Sequence, residues 1–175
     1  WDVPQKWAYR LVREYVTAWS SHDVDRLISL FAEDGGYGEF GLGRVMLGKE
    51  EIRRHLIATF GALPDLTIAP MGEPLRSGER LFWKWLLTAT HEGEFAGVPP
   101  TGKRFQLRGL SVLLLKGDKI RRAADCFDVA SIVERLAPER GRHWNSESRS
   151  TDCERTGLNP RLGALADEDN IGYGE

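Results

Sequence analysis

The sequence predicts an α+β fold in which a cone-shaped, curved antiparallel β-sheet, an α+β barrel, wraps around N-terminal helices. Three observations carry that expectation. Up to Gly61 the apolar residues recur mostly at helical spacing, whereas from Leu66 to Asp128 they fall into strand-like runs separated by Gly, Pro and Asp turns. A length of 175 residues suits one core with a tail, since single cores take roughly 100 to 200 residues.

Trp7, Leu11, Tyr15, Val16 and Trp19 lie on one face of a first helix spanning Gln5 to Trp19. Ser21, His22 and Asp23 supply capping chemistry before Val24, Leu27, Ile28 and Phe31, so a second, shorter helix follows and stops at Glu33-Asp34-Gly35. Residues 36–47 are glycine-rich but carry Tyr37, Phe40, Leu42, Val45 and Met46, the mark of one bent strand or two short ones. Gly48 and an acidic first turn at Glu50-Glu51 open a third helix with Ile52, Leu56, Ile57 and Phe60 on its apolar stripe. Strands are then expected at 66–71, 80–91, 103–116 and 119–128, with a hairpin at Lys116-Gly117-Asp118-Lys119. Val129 to Leu136 returns to helical period and halts at Pro138.

These elements assign residues 1–138 to the folded domain, and the shift to Arg, Ser, Glu, Asn and Gly makes residues 139–175 a polar tail or arm. If helices fill only one end of the cone, inward side chains at the other end line a cavity. Chemistry is to be sought there.

Composition excludes several classes. With 41% hydrophobic and 29% charged residues the chain is of globular type, and no apolar run approaches the roughly 18 residues of a membrane span. A net charge of -2 gives no basic excess for nucleic acid. Cys126 and Cys153 form neither a disulfide framework nor a metal spacing, which makes a reducing cytoplasm the expected compartment. No His-x-x-x-His or carboxylate cluster suggests a metal, no glycine pattern cradles a phosphate, and no cofactor is expected.

Counting by twos places Ala123, Asp125 and Phe127 on one strand face. If that face looks inward, burial raises the carboxyl's pKa and makes Asp125 a proton acceptor. Pairing with Arg121, Arg122 or an Arg of the tail is the structural alternative. Asp128 falls on the opposite face, where it caps the helix at Val129 or serves as the base instead. His91, at a strand end, can stabilise an oxyanion, relay a proton or make a structural hydrogen bond. Tyr37 and Glu39 share a face and would bring a phenol and a carboxylate to the cavity mouth. Trp83, Trp85 and Leu87 alternate on one strand as an aromatic and apolar wall, which packs the core or faces a substrate, and Leu107, Leu110 and Leu113 would extend it.

The run His91-Glu-Gly-Glu-Phe-Ala-Gly-Val-Pro-Pro-Thr-Gly-Lys103 resembles the hairpin of SnoaL-like ester cyclases. Lys84-Trp85, Thr88 to His91 and Phe31-Ala32-Glu33-Asp34 resemble flanking parts of the same family. The resemblance covers roughly residues 5–138 and implies the cone fold shared with nuclear transport factor 2, ketosteroid isomerase and scytalone dehydratase. Ala124 to Asp128 is also similar to the closing strand of limonene-epoxide hydrolases, where Asp125 takes the catalytic carboxylate's place. Tyr37 and Glu39 stand at the spacing of the Tyr and Asn that hold the attacking water in those hydrolases. Trp85 and Leu87 stand where they use an Arg and a second Asp, so that triad is incomplete here. In the cyclases the acid/base carboxylate on this strand corresponds by position to Asp125 or to Asp128.

The resulting expectation is cofactor-free acid/base catalysis on an apolar small molecule, with Asp125 taking a proton as a polyketide-type intermediate closes a ring. His91 and Tyr37 would stabilise oxyanion charge, Glu39 would position a hydroxyl or water, and Trp83, Trp85, Leu87, Leu107 and Phe127 would contact substrate. Epoxide opening and non-catalytic binding of a hydrophobic ligand are the alternatives. Apolar residues on both faces of the strands at 80–91 and 103–116 further predict a homodimer through the outer sheet face.

Overall fold

In the computed structural model, which describes residues 3–137 and side chains from Lys6 onward, the first amphipathic pattern becomes helix α1 (Val3–Ser20). It buries Leu11, Tyr15, Val16 and Trp19 and leaves Lys6, Arg10 and Arg13 in water. Each such apolar side chain contributes about 1.5 to 3 kcal/mol on leaving water, so one face of α1 suffices to anchor it. Helix α2 (Val24–Leu30) starts where the Asp23 carboxylate accepts the Arg26 N–H at 2.9 Å. It ends earlier than the pattern predicts. Phe31 is already extended, at φ -86 and ψ 149, and opens strand β1 (Phe31–Glu39), burying its ring opposite Ile120.

A short 3-10 turn at Phe40–Leu42, closed by Gly43 in the left-handed region, divides the glycine-rich segment into β1 and β2 (Arg44–Leu47). The two-strand alternative therefore holds. Helix α3 (Gly48–Ala62) is capped by Glu51, whose carboxylate accepts the Leu47 N–H at 3.0 Å. Strands β3 (Thr67–Pro70), β5 (Arg80–Thr90), β6 (Arg104–Lys116) and β7 (Lys119–Phe127) follow as expected, joined by a short β4 (Leu75–Ser77) that the pattern did not predict. Helix α4 (Val129–Leu136) ends the described residues, so the tail at 139–175 lies outside them.

The strands form one sheet in the order β2-β1-β7-β6-β5-β3, with β4 paired to β5. It is curved and does not close on itself. Nor is it wholly antiparallel, because β1 runs parallel to β7. That pairing brings the N-terminal third of the chain against its last strand and sets Tyr37 beside Ala123 and Glu39 beside Asp125. Helix α1 packs on β3 and β4, α3 on β1 and β2, and α2 contacts both helices.

Alternation then decides which side chains enter. Leu81, Trp83, Trp85, Leu87 and Ala89 of β5 point inward, as do Phe105, Leu107, Ser111, Leu113 and Leu115 of β6. Leu110 falls on the other face and stays 37% exposed, so it adds nothing to the inner wall. On β7 an irregularity opposite Leu114 and Leu115 inserts Arg121 as an extra residue, and both Ile120 and Ala123 consequently face the core.

Candidate active site

Asp125 is buried on β7, and each of its oxygens accepts a hydrogen bond. The Tyr37 hydroxyl donates to Oδ2 at 2.6 Å, and the Ser111 hydroxyl donates to Oδ1 at 2.5 Å. Ser111 in turn accepts the Trp85 indole N–H at 2.8 Å. The chain Trp85 to Ser111 to Asp125 therefore crosses β5, β6 and β7 with every donor directed at the carboxylate. Burial pushes the Asp125 carboxyl up to about 6, against the pull of the Ser111 and Tyr37 hydrogen bonds, and the charge of Glu39 adds to the rise. Tyr37 is held well above the ordinary phenol value, first by burial and then by the Asp125 charge, so it remains a proton donor.

Glu39 is the second buried carboxyl group, 4% exposed. Its Oε1 lies 3.4 Å from His55 Nε2, which reaches in from α3, and its Oε2 lies 3.9 Å from Arg44 Nη1 without a hydrogen-bond partner. His55 Nε2 also lies 3.5 Å from the Thr59 hydroxyl, and its ring is tilted against Tyr37 at 5.4 Å.

Asp125, Glu39 and Tyr37 line one narrow cavity of about 30 Å³, walled by Trp19, Thr59, Trp85, Leu87, Phe95, Leu107 and Phe127. Its lining is mostly apolar or aromatic, with the carboxyl groups of Asp125 and Glu39 and the hydroxyl groups of Tyr37 and Thr59 as its polar members. A larger recess of about 440 Å³ lies outside, between α1 and the β3–β4 connection, but its titratable side chains are the solvated Lys6, Arg10 and Arg13 and the half-buried Tyr9, with no carboxyl group among them. The two buried carboxyl groups, Asp125 and Glu39, line the smaller cavity instead. Among the described residues, no group of three His, Cys, Asp or Glu side chains could hold a metal ion, and no helix is long and apolar enough to cross a membrane.

The family model of the SnoaL-like polyketide cyclases matches residues 9–136, which takes in every element from α1 to α4. The chain belongs to that family. Solved structures agree on the fold. A candidate SnoaL-like polyketide cyclase from Jannaschia sp. CCS1 superposes with a TM-score of 0.70 at 15% identity, covering 79% of this chain and 97% of its own. IdmH from Streptomyces antibioticus, a candidate polyketide cyclase, gives 0.63 at 21% identity over 75% and 99%. A Catenulispora acidiphila protein of ketosteroid isomerase-like fold, solved with trimethylamine, gives 0.64 at 20% over 72% and 91%. A search of curated proteins found no match.

Within this SnoaL-like domain the sequence-selected residues separate into two sets. Asp125, Tyr37, Glu39, Trp85, Leu87, Leu107 and Phe127 meet at the cavity. Trp83, His91 and Asp128 do not line it. Trp83 shares the inner face but lies further along β5, edge-on to Tyr15 with ring centroids 6.2 Å apart. His91 is fully buried in the hairpin turn, where its Nδ1 meets the Thr101 hydroxyl at 3.0 Å and its carbonyl accepts the Gly102 N–H at 2.8 Å. Asp128 caps α4 by accepting from the Ser131 N–H at 3.2 Å.

Sequence reasoning missed Ser111, His55 and Thr59. Ser111 did leave a signal, being the hydroxyl-bearing residue in the apolar run Leu110 to Leu115, and the registers of β6 with β5 and β7 give it its neighbours. His55 left none that strand or helix period could reveal, because α3 must first dock on β1.

Proposed function

We propose that this SnoaL-like protein is a cofactor-free acid/base enzyme that closes a ring in a polyketide-type substrate, with Asp125 as the base. The observation that carries the reading is a buried carboxyl group at about 6, held by two hydroxyl donors and facing an apolar, aromatic cavity. Such a group is mostly ionised near neutral pH and is a far stronger base than a solvated aspartate. A carbon flanked by two carbonyls gives its proton to Asp125, and the resulting enolate attacks a third carbonyl of the same molecule. One C–H bond breaks, one C–C bond forms, and the new alkoxide takes up a proton. Nothing else is consumed.

The cavity's 30 Å³ accommodates one or two waters, whereas drug-sized ligands occupy about 300 Å³ or more. Substrate entry on this reading requires the cavity to widen. Two buried carboxyl groups in one cavity favour catalysis over simple carriage of an apolar ligand. Trp85 and Leu87 leave the β5 wall without charge, which weighs against epoxide hydrolysis.

The test uses methyl (ortho-acetylbenzoyl)acetate, whose acidic carbon can attack its own acetyl group. Wild-type protein should accelerate ring closure with a rate that rises through pH 6 as Asp125 ionises. Asp125→Asn should lower turnover at least about a hundredfold while leaving the fold intact. Wild-type turnover in a folded Asp125→Asn variant would remove Asp125 from the mechanism.

A further inference from the structure

The proposed ring closure needs two proton movements, and Asp125 accounts for the first. A second group has to deliver a proton to the oxygen on which negative charge collects. Glu39 stands next to Asp125 in register, lines the same cavity and keeps one oxygen, Oε2, buried without a hydrogen-bond partner. A buried orphan oxygen of this kind is costly unless a ligand group completes it. Five titratable or charged groups face it: Asp125 from β7, Tyr37 from β1, Tyr15 from α1, Arg44 from β2 and His55 from α3. His55 is the one among them that can exchange a proton with Glu39 at short range, at 3.4 Å from Oε1, and it is itself oriented by Thr59.

We propose that Glu39 is the second catalytic carboxyl group, donating a proton to the alkoxide formed at ring closure, and that His55 is a positioning residue that supplies and holds that proton. The inference rests on Asp125 being the base. In the step itself the Glu39 O–H bond breaks and the substrate O–H bond forms, which leaves Glu39 as a carboxylate and Asp125 as a carboxylic acid. Asp125 then returns its proton to the pair, directly or through a water in the cavity, and the site is reset without a co-reactant. The substrate class selected is a carbon acid whose accepting carbonyl oxygen lies on the Glu39 side of the acidic carbon.

Methyl (ortho-acetylbenzoyl)acetate separates the two proton movements. Exchange of its acidic hydrogen with deuterated water requires the base alone, whereas ring closure requires base and acid. Asp125→Asn should depress both rates at least about a hundredfold over the buffer reaction. In Glu39→Gln, which preserves size, the ratio of ring closure to exchange should fall at least about fiftyfold. His55→Gln should lower kcat for ring closure about tenfold with KM unchanged, and should have no further effect in the Glu39→Gln background. Cooperative melts of each variant establish that it is folded. An unchanged ratio in Glu39→Gln overturns the acid role even where Asp125→Asn is inactive, and an additive His55→Gln effect overturns positioning through Glu39. If wild-type protein accelerates neither reaction, the base reading falls and this inference falls with it.

Discussion

The indole of Trp85 lies against the backbone of Gly109, its partner across β5 and β6, so closely that a β-carbon at position 109 would stand 2.2 Å from the ring. The absence of a side chain there lets the indole lie over β6 and reach Ser111, which donates to Asp125. Gly109 thereby builds the site from one residue beyond its hydrogen bonds.

Gly109→Ala should consequently displace the Trp85 ring and break the chain from Trp85 to Asp125. Overpacking of this kind destabilises by about 1 to 3 kcal/mol. The expected result is a lower denaturation midpoint together with altered tryptophan fluorescence. An unchanged melt and spectrum would show that the ring has room to move.

Asp125 makes stability depend on pH in a direction opposite to most carboxylates. Its folded-state value of about 6 lies above the ordinary 3.8, so the folded protein holds this proton more tightly than the unfolded chain does. The carboxyl's contribution is complete below the ordinary value and is lost as pH rises through 6. A shift of this size corresponds to roughly 3 kcal/mol, an order-of-magnitude figure. Relative to Asp125→Asn, wild-type protein should therefore lose stability between about pH 4 and pH 7 and show no further relative loss above that. Chemical denaturation of both proteins across this range measures the difference, and parallel curves would mean that the carboxyl is not desolvated.

Much of this site was legible because strands obey a period of two. Once β7 was recognised, Asp125 and Phe127 had to share a face, and Trp85 and Leu87 followed from the same rule on β5. The glycine-rich segment still gave Tyr37 and Glu39 together, since they too are two residues apart. What spacing could not supply was partnership between distant segments. The parallel pairing of β1 with β7, the seat of Ser111 opposite Asp125 and the reach of His55 from α3 each depend on how separate elements dock. His91 shows the limit of a motif from the other side, because the sequence left it reactive or structural and only its place in the hairpin turn, away from the cavity, separates the two.

That environment makes a prediction of its own. His91 donates its backbone N–H to the Lys103 carbonyl at 2.9 Å and accepts from the Thr101 and Gly102 N–H groups, while its ring meets Thr101. Burial holds its imidazole below the ordinary value, so its stabilising contribution is complete above that ordinary value and is lost as pH falls through the lower folded one. His91→Ala should destabilise the protein by about 2 kcal/mol and loosen the β5–β6 hairpin. Ring closure in the folded fraction should keep kcat within a few-fold. A hundredfold loss of kcat in a fully folded variant would return His91 to the chemistry.

The outer sheet face yields the last prediction, that the protein is a homodimer joined across β5 and β6. Leu86, Val112 and Leu114 point away from the cavity and remain partly exposed, with Leu110 at 37% among them. Lys84, Arg108 and Gln106 sit in water on the same side, with Lys84 opposite Leu110 and Arg108 opposite Leu86, so charged side chains alternate with the apolar ones across the face. Antiparallel strands with a solvated face ordinarily alternate polar with apolar residues, and this departure calls for a cover. A second copy suits it, because a two-fold axis sets each patch on its own equivalent. The segment 139–175, which lies outside the described residues, is the competing cover, and few of its side chains are apolar. Sedimentation at micromolar concentration of the full chain and of a chain ending at residue 140 distinguishes them. A dimer in both, with a cooperative melt retained after truncation, is the expected outcome. Leu110→Glu should dissociate it, since two buried carboxylates would face each other across the axis. A monomer in both chains would rule the dimer out, and a dimer in the full chain alone would assign the contact to the tail.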